Sequence, residues 1–197
     1  MTIPFSSVII DMSKYACENA PAEGTNMKRF LVPDALFSTY RDLTPGMLRD
    51  RGITALILDI DNTLLPYEIP TPDGDLTEWV RGMQEGGVSL CLVSNNKLPR
   101  IRLVSEPLGL FAVPKAGKPF ARGFRRAMRE MGSTAATTAS LGDQIFTDVL
   151  ASRFAGLAMS LTVPPIKDKT DPFTRFKRAL ERPVWRRFKK KGNAYDL

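Results

Sequence analysis

Four carboxylates stand at or shortly beyond the ends of apolar runs in this chain. Asp59 and Asp61 follow Leu56-Ile57-Leu58 and are separated only by Ile60. Asp143 follows Ala139-Ser140-Leu141-Gly142, and Asp148 comes five residues later. Two further polar groups sit in the same kind of position, Ser94-Asn95-Asn96 after Leu92-Val93 and Lys118 beyond Phe111-Ala112-Val113. Carboxylates gathered without counter-charge repel one another and drive their pKa values up, and a divalent cation relieves this. Oxygen donors alone, with no histidine in the chain, favour Mg²⁺, which keeps several waters and pairs with a substrate phosphate. Phosphoryl transfer uses such a set. One carboxylate can attack phosphorus, a second can move the proton, hydroxyl and amide groups can hold phosphate oxygens, and a lysine supplies fixed positive charge.

The lack of histidine also excludes Ser-His and Cys-His catalysis and every His-ligated metal site. The two cysteines, Cys17 and Cys91, are far apart and support neither a disulfide framework nor a thiolate metal site, which fits a reducing cytoplasm. Cys91 lies in an apolar run and reads as a small buried hydrophobe. No apolar run approaches the roughly 18–20 residues of a membrane span, and residues 1–30 do not read as a secretory signal.

The elements that must position these groups alternate between two periods. Thr44-Pro45 reads as the N-cap and first residue of a short helix ended by Gly52. "TALILD" (54–59) reads as a strand buried on both faces. A helix over 76–87, a strand over 88–96, a helix over 97–109 and a short strand and loop over 111–119 follow. Then come a helix over 120–132, a strand over 137–144, a helix over 145–156 and a strand over 157–163. Repeated β-then-α predicts a three-layer, Rossmann-like α/β fold, a parallel sheet with helices on both faces. In such sheets ligands bind beyond the carboxyl ends of the strands, where the singled-out residues fall.

D-x-D-N-T (59–63), S-N-N (94–96), Lys118 in "KAGKP" and G-D-Q-x-x-T-D (142–148) together resemble the four motifs of the haloacid-dehalogenase (HAD) superfamily of phosphohydrolases, in order and spacing. With the lead-in "VPD…DLTPGMLRDRGITALILDIDNTL", they resemble its subclass IIIA, YqeG-type phosphatases, whose mitochondrial relatives are phosphatidylglycerophosphate phosphatases. The resemblance spans about residues 30–165. It implies Asp59 as nucleophile and metal ligand, and Asp61 as general acid/base giving its backbone carbonyl to the metal. It further implies Ser94 and Asn95 as phosphate-binding, Lys118 as the residue that neutralises the phosphoryl group and orients Asp59, and Asp143 as completing a Mg²⁺ site. Thr63 and Asp148 are implied as supporting residues behind that site. Asn96 and Gln144 read as loop-shaping residues without a chemical role.

The intervals Asp61–Ser94 and Asn96–Lys118 leave no room for a cap domain, so the catalytic edge is expected to stand open to a large substrate. Charge is placed unevenly. Through residue 165 there are 17 basic and 17 acidic residues; residues 166–197 hold 11 and 4, so the whole net charge of +7 belongs to that stretch. Three segments result: 1–27, a disordered leader or sequence upstream of a true start at Met27; 28–165, the HAD-like domain; and 166–197, a basic amphipathic tail. Within the tail, residues 171–192 interleave Phe173, Phe176, Leu180, Val184, Trp185 and Phe188 with lysines and arginines. That pattern admits docking on an anionic membrane surface or packing on the domain. No base-reading motif accompanies Lys189-Lys190-Lys191, so nucleic acid is the disfavoured partner. The expectation is a cytoplasmic, Mg²⁺-dependent phosphomonoesterase, with peripheral attachment to the inner membrane face as its extension and phosphatidylglycerophosphate as favoured substrate. The alternatives are a phosphatase of soluble metabolites or nucleic-acid termini, and a ribosome- or RNA-associated factor with a vestigial edge.

Overall fold

A computed structural model describes residues 30–167 together with 179, 181 and 183. The leader reading for 1–27 and most of the tail reading for 171–192 lie outside the described residues. The described residues form six strands: β1 (Ala35–Leu36), β2 (Ala55–Leu58), β3 (Ser89–Val93), β4 (Phe111–Val113), β5 (Thr138–Gly142) and β6 (Met159–Thr162). They make one sheet in the order β1-β6-β5-β2-β3-β4, every neighbouring pair parallel. Five α-helices connect them: α1 (Pro45–Arg49), α2 (Gly74–Glu85), α3 (Leu98–Leu108), α4 (Arg122–Met131) and α5 (Leu150–Ala155).

Strand alternation divides the core in two. Leu56, Leu58, Leu90 and Leu92 face Leu48 of α1, Leu76, Val80 and Met83 of α2, and Ile101 and Val104 of α3. Ile57, Cys91 and Val93 face Phe124 and Ala127 of α4 and Ala151 and Ala155 of α5. β2 is buried along its whole length because both faces are covered. Burial also pushes the Cys91 thiol up to about 12, with Glu130 adding to the shift, so Cys91 is an inert packing residue. The intervals β2–β3 and β3–β4 each contain one helix and no cap domain.

Local signals set the helix starts. Thr44 accepts the Met47 N–H at 3.4 Å ahead of Pro45, and Asp73 accepts the Leu76 N–H at 2.8 Å. The sequence reading did not anticipate β1. This two-residue edge strand lies beside β6 and is clamped from the side. Arg153 makes a two-armed ion pair with Asp34 at 2.9 and 3.0 Å, and Asp34 accepts the Ser160 N–H at 2.6 Å. The helix expected over 145–156 divides into a π-helical turn, Ile145–Val149, and α5. There the Gln144 carbonyl accepts both the Asp148 and Val149 N–H groups. Single π-turns of this kind recur at functional sites.

Candidate active site

β2 is the centre of the sheet, and its carboxyl end delivers Asp59. The chain leaves that end through a tight turn in which Asn62 adopts φ 65°, a left-handed conformation that asparagine tolerates better than most residues. The turn brings Thr63 back under Asp59, where its hydroxyl donates to Asp59 Oδ2 at 3.0 Å and lies 3.4 Å from Asp143 Oδ1. From the β4–α4 loop, Lys118 Nζ contacts Asp59 Oδ1 and Asp148 Oδ1, the latter at 2.6 Å. Asp59, Lys118, Asp143 and Asp148 are all buried.

One oxygen from each of Asp59, Asp143 and Asp148 lies within 4.8 Å of the other two. The Asp148 carboxylate, implied as a support behind the metal, thus stands beside Asp59 and Asp143, while the ligand implied for Asp61 is its backbone carbonyl and not a side-chain oxygen. The reason lies in the turn after β5. Asp148 Oδ2 accepts the Gln144 N–H and the Thr147 hydroxyl, both at 3.1 Å, so Oδ1 faces Lys118 and the other carboxylates. Gly142 makes room for this, since a Cβ there would collide with the Asp148 side chain. The turn has one more support. Glu181, far along the chain and 1% exposed, accepts the Phe146 N–H at 3.2 Å.

Charge decides what this cluster can hold. Burial disfavours the Asp59 carboxylate and raises its pKa to about 7; Lys118 opposes the rise, and Asp148 and Asp143 add to it. Burial disfavours the Lys118 ammonium too, yet Asp148 and Asp59 hold its pKa above the usual lysine range. One lysine among three carboxylates leaves an excess of negative charge, and all donors are hard oxygens. That set fits a divalent cation of the Mg²⁺ type better than a soft metal.

Asp61 belongs to a second network. Its Oδ2 accepts the Asn96 amide at 2.6 Å and faces the Ser94 hydroxyl at 3.4 Å, while Oδ1 faces the Arg100 guanidinium at 3.3–3.4 Å. Asn96 therefore touches the proposed proton carrier and is not only a loop former. Arg100, which the sequence reading missed, also donates to the Pro70 carbonyl at 3.0 Å. The available signal was its place four residues after Asn96, in the first turn of a helix leaving the same strand end. The Asn95 carboxamide pairs with the Lys118 backbone, accepting its N–H at 2.8 Å and donating to its carbonyl at 3.0 Å. It thereby fixes the loop that carries the lysine. Beside Thr63, a cleft of about 350 Å³ runs between Tyr40, Arg41, Leu65 and Pro165.

No family model matches the chain. A curated relative, the probable phosphatase YqeG of Bacillus subtilis (strain 168), is 36% identical over 167 residues, which are 85% of this chain and 96% of that protein. The chain belongs to the YqeG family. Its six-stranded parallel sheet with helices on both faces is a Rossmann-like fold, and the curated relative is a probable phosphatase. Solved structures with a similar outline include two hydrolases. The cobalt-bound deoxy-D-mannose-octulosonate 8-phosphate phosphatase of Haemophilus influenzae is 20% identical, with a TM-score of 0.44, over 57% of this chain and 69% of that one. A HAD family hydrolase of Deinococcus radiodurans R1 with bound phosphate and sodium is 15% identical, with a TM-score of 0.47, over 66% and 89%. In this YqeG chain the buried cluster Asp59, Asp143 and Asp148 is, among the described residues, a group that could hold a metal ion.

Proposed function

We propose that this YqeG protein is a Mg²⁺-dependent phosphomonoesterase that works through an aspartyl-phosphate, with phosphatidylglycerophosphate as its favoured substrate. The observation that carries the phosphatase chemistry is the division of labour between two neighbouring aspartates. Asp59 is held among Lys118, Thr63, Asp143 and Asp148, while Asp61, two residues on, is held apart by Asn96 and Arg100. The Asp59 carboxylate attacks phosphorus, and the bond from phosphorus to the leaving oxygen breaks as Asp61 gives that oxygen its proton. Asp61 then takes a proton from water, whose oxygen attacks phosphorus, releasing inorganic phosphate and restoring Asp59. Lys118 holds Asp59 in position and offsets charge on the transferring group, and the Asn95 carboxamide keeps the Lys118 loop in place. Asp59 and Asp143, with the Asp61 backbone carbonyl and with Asp148 beside them, would hold the metal, which would supply neutralising charge to the phosphoryl oxygens.

The lipid assignment rests on the resemblance to phosphatidylglycerophosphate phosphatases and on the capless edge, which leaves room for a phosphate attached to a large body. The basic, aromatic stretch at 171–192 adds attraction to an anionic surface. Among the described residues, no helix is long and apolar enough to cross a membrane, and the proposed location is the cytoplasmic membrane face. The test compares phosphate release from phosphatidylglycerophosphate in mixed micelles with release from soluble esters, for wild type and Asp59→Asn. Mg²⁺-dependent release from the lipid by wild type alone is the expected result. Turnover of soluble esters or nucleic-acid termini without lipid turnover rejects the substrate. Equal rates for Asp59→Asn reject the nucleophile, and inactivity of wild type on every ester leaves a vestigial edge.

A further inference from the structure

Eight large apolar side chains are exposed among the described residues, and five of them stand at one place. Tyr67 and Ile69 lie on the loop after β2, Leu98 follows β3, Phe120 is on the loop after β4 and Ile166 on the segment after β6. All five are therefore at the carboxyl ends of parallel strands, around the mouth of the site. Phe120 is 71% exposed, the most of the eight. The other three, Leu103, Phe111 and Phe154, are scattered over α3, the amino end of β4 and α5.

Backbone and side-chain bonds join these loops into one rim. The Ile166 N–H donates to the Asn62 carbonyl at 3.0 Å, which ties the last loop to the loop after β2. Arg100 ties that loop to the start of α3 through the Pro70 carbonyl, and its guanidinium lies 5.8 Å from the Tyr67 ring centre. The Lys115 N–H donates to the Asn96 carbonyl at 3.0 Å, joining the loops that carry Leu98 and Phe120. Exposed cations are interleaved with the apolar groups, namely Lys97, Lys115, Arg122 and Lys167. The exposed acids on these loops and the helix starts that follow them are Glu68, which pairs with Lys167 at 3.5 Å, Asp73, which caps α2, and Asp75, which pairs with Arg41 at 3.2 Å.

We propose that this rim docks the catalytic mouth face-down on an anionic phospholipid bilayer. Aliphatic and aromatic side chains on a basic background are the composition that lies at a membrane interface, and anionic headgroups attract the lysines. Other occupants fit less well. A second copy would set one basic rim against another. Single-stranded nucleic acid binds by stacking bases on aromatic side chains, and three of the five apolar groups here are aliphatic. The inference extends the membrane-face reading of the same edge. It is tested by binding without hydrolysis, so either reading can fail alone.

The test uses the full chain and vesicles of phosphatidylglycerol and phosphatidylcholine in equal parts, with pure phosphatidylcholine vesicles as reference. The variant Phe120→Ser/Leu98→Ser removes two exposed apolar anchors whose side chains form none of the hydrogen bonds of the site. Its partition onto the anionic vesicles is expected to fall by about tenfold or more, while soluble aryl phosphate is hydrolysed at the wild-type rate. The variant Phe120→Trp keeps the anchor and reports its surroundings. The difference in emission from wild type is expected to shift to the blue on the anionic vesicles and not on phosphatidylcholine alone. Unchanged partition of the double variant overturns the proposal. So does a double variant that turns a wild-type dimer into a monomer in sedimentation, which would make the rim a face between copies. Loss of binding to single-stranded RNA, with vesicle binding intact, overturns it as well.

Discussion

Replacing Lys118 by methionine removes the cation that holds two carboxylates together while keeping much of the side chain's volume. The Lys118 and Asp148 side chains are each 4% exposed and that of Asp59 10%, so solvent screens the lost charge little. Breaking a buried ion pair by removing one partner costs about 3–5 kcal/mol, because the remaining charge is left uncompensated. For a chain of this size that lowers Tm by about 6–20 °C. The loss depends on pH. In the wild type the folded Asp59 pKa of about 7 lies above its ordinary 3.8. The native state therefore binds the extra proton, and its stability falls as pH rises between those values. Without Lys118, which opposes the rise, the window extends upward and the gap between variant and wild type widens from about pH 6 to pH 8. Urea unfolding in EDTA, followed by tryptophan fluorescence at both pH values, measures this. A difference below about 1 kcal/mol at both, or a gap that narrows as pH rises, refutes the account of a charge-compensated aspartate cluster.

Three other substitutions separate the parts of the site. Arg100→Leu frees Asp61 from one of its three polar neighbours; kcat on a soluble ester is expected to fall about tenfold, a fraction of the 10²–10⁴-fold that general acid–base catalysis contributes as a whole, with KM little changed and an altered pH–rate profile. Gly142→Ala forces a Cβ into the Asp148 side chain; it is expected to destabilise by about 1–3 kcal/mol and to raise the Mg²⁺ concentration needed for half-maximal activity. Glu181→Ala leaves the Phe146 N–H without this acceptor and is expected to destabilise by about 1–3 kcal/mol, with Glu181→Gln recovering most of the loss in thermal unfolding.

What could be read from the chain was what is encoded locally. Apolar runs bounded by acids marked the β2 and β5 ends, and Thr44-Pro45 marked the start of α1. What escaped depends on distant partners. Ala35–Leu36 is a strand only because β6 lies beside it and Arg153 grips Asp34. Asp148 joins Asp59 and Asp143 because a π-turn redirects it, and no period in the sequence announces that turn. Asn96 and Arg100 acquire their contacts with Asp61 from the fold, as two side chains that leave the neighbouring strand's end on the same side as the aspartate.

Glu181 has a consequence for the order in which the molecule becomes complete. As the polypeptide is made, the last strand is available once Thr162 has emerged. The turn bearing Asp148 still lacks one acceptor, which arrives 35 residues after Phe146. A product shortened before residue 181 would carry every catalytic motif and all six strands, yet hold that turn less firmly. Removal of residues 171–197 therefore loosens the site as well as stripping away positive charge. A truncation meant to probe only membrane attachment should begin beyond Pro183.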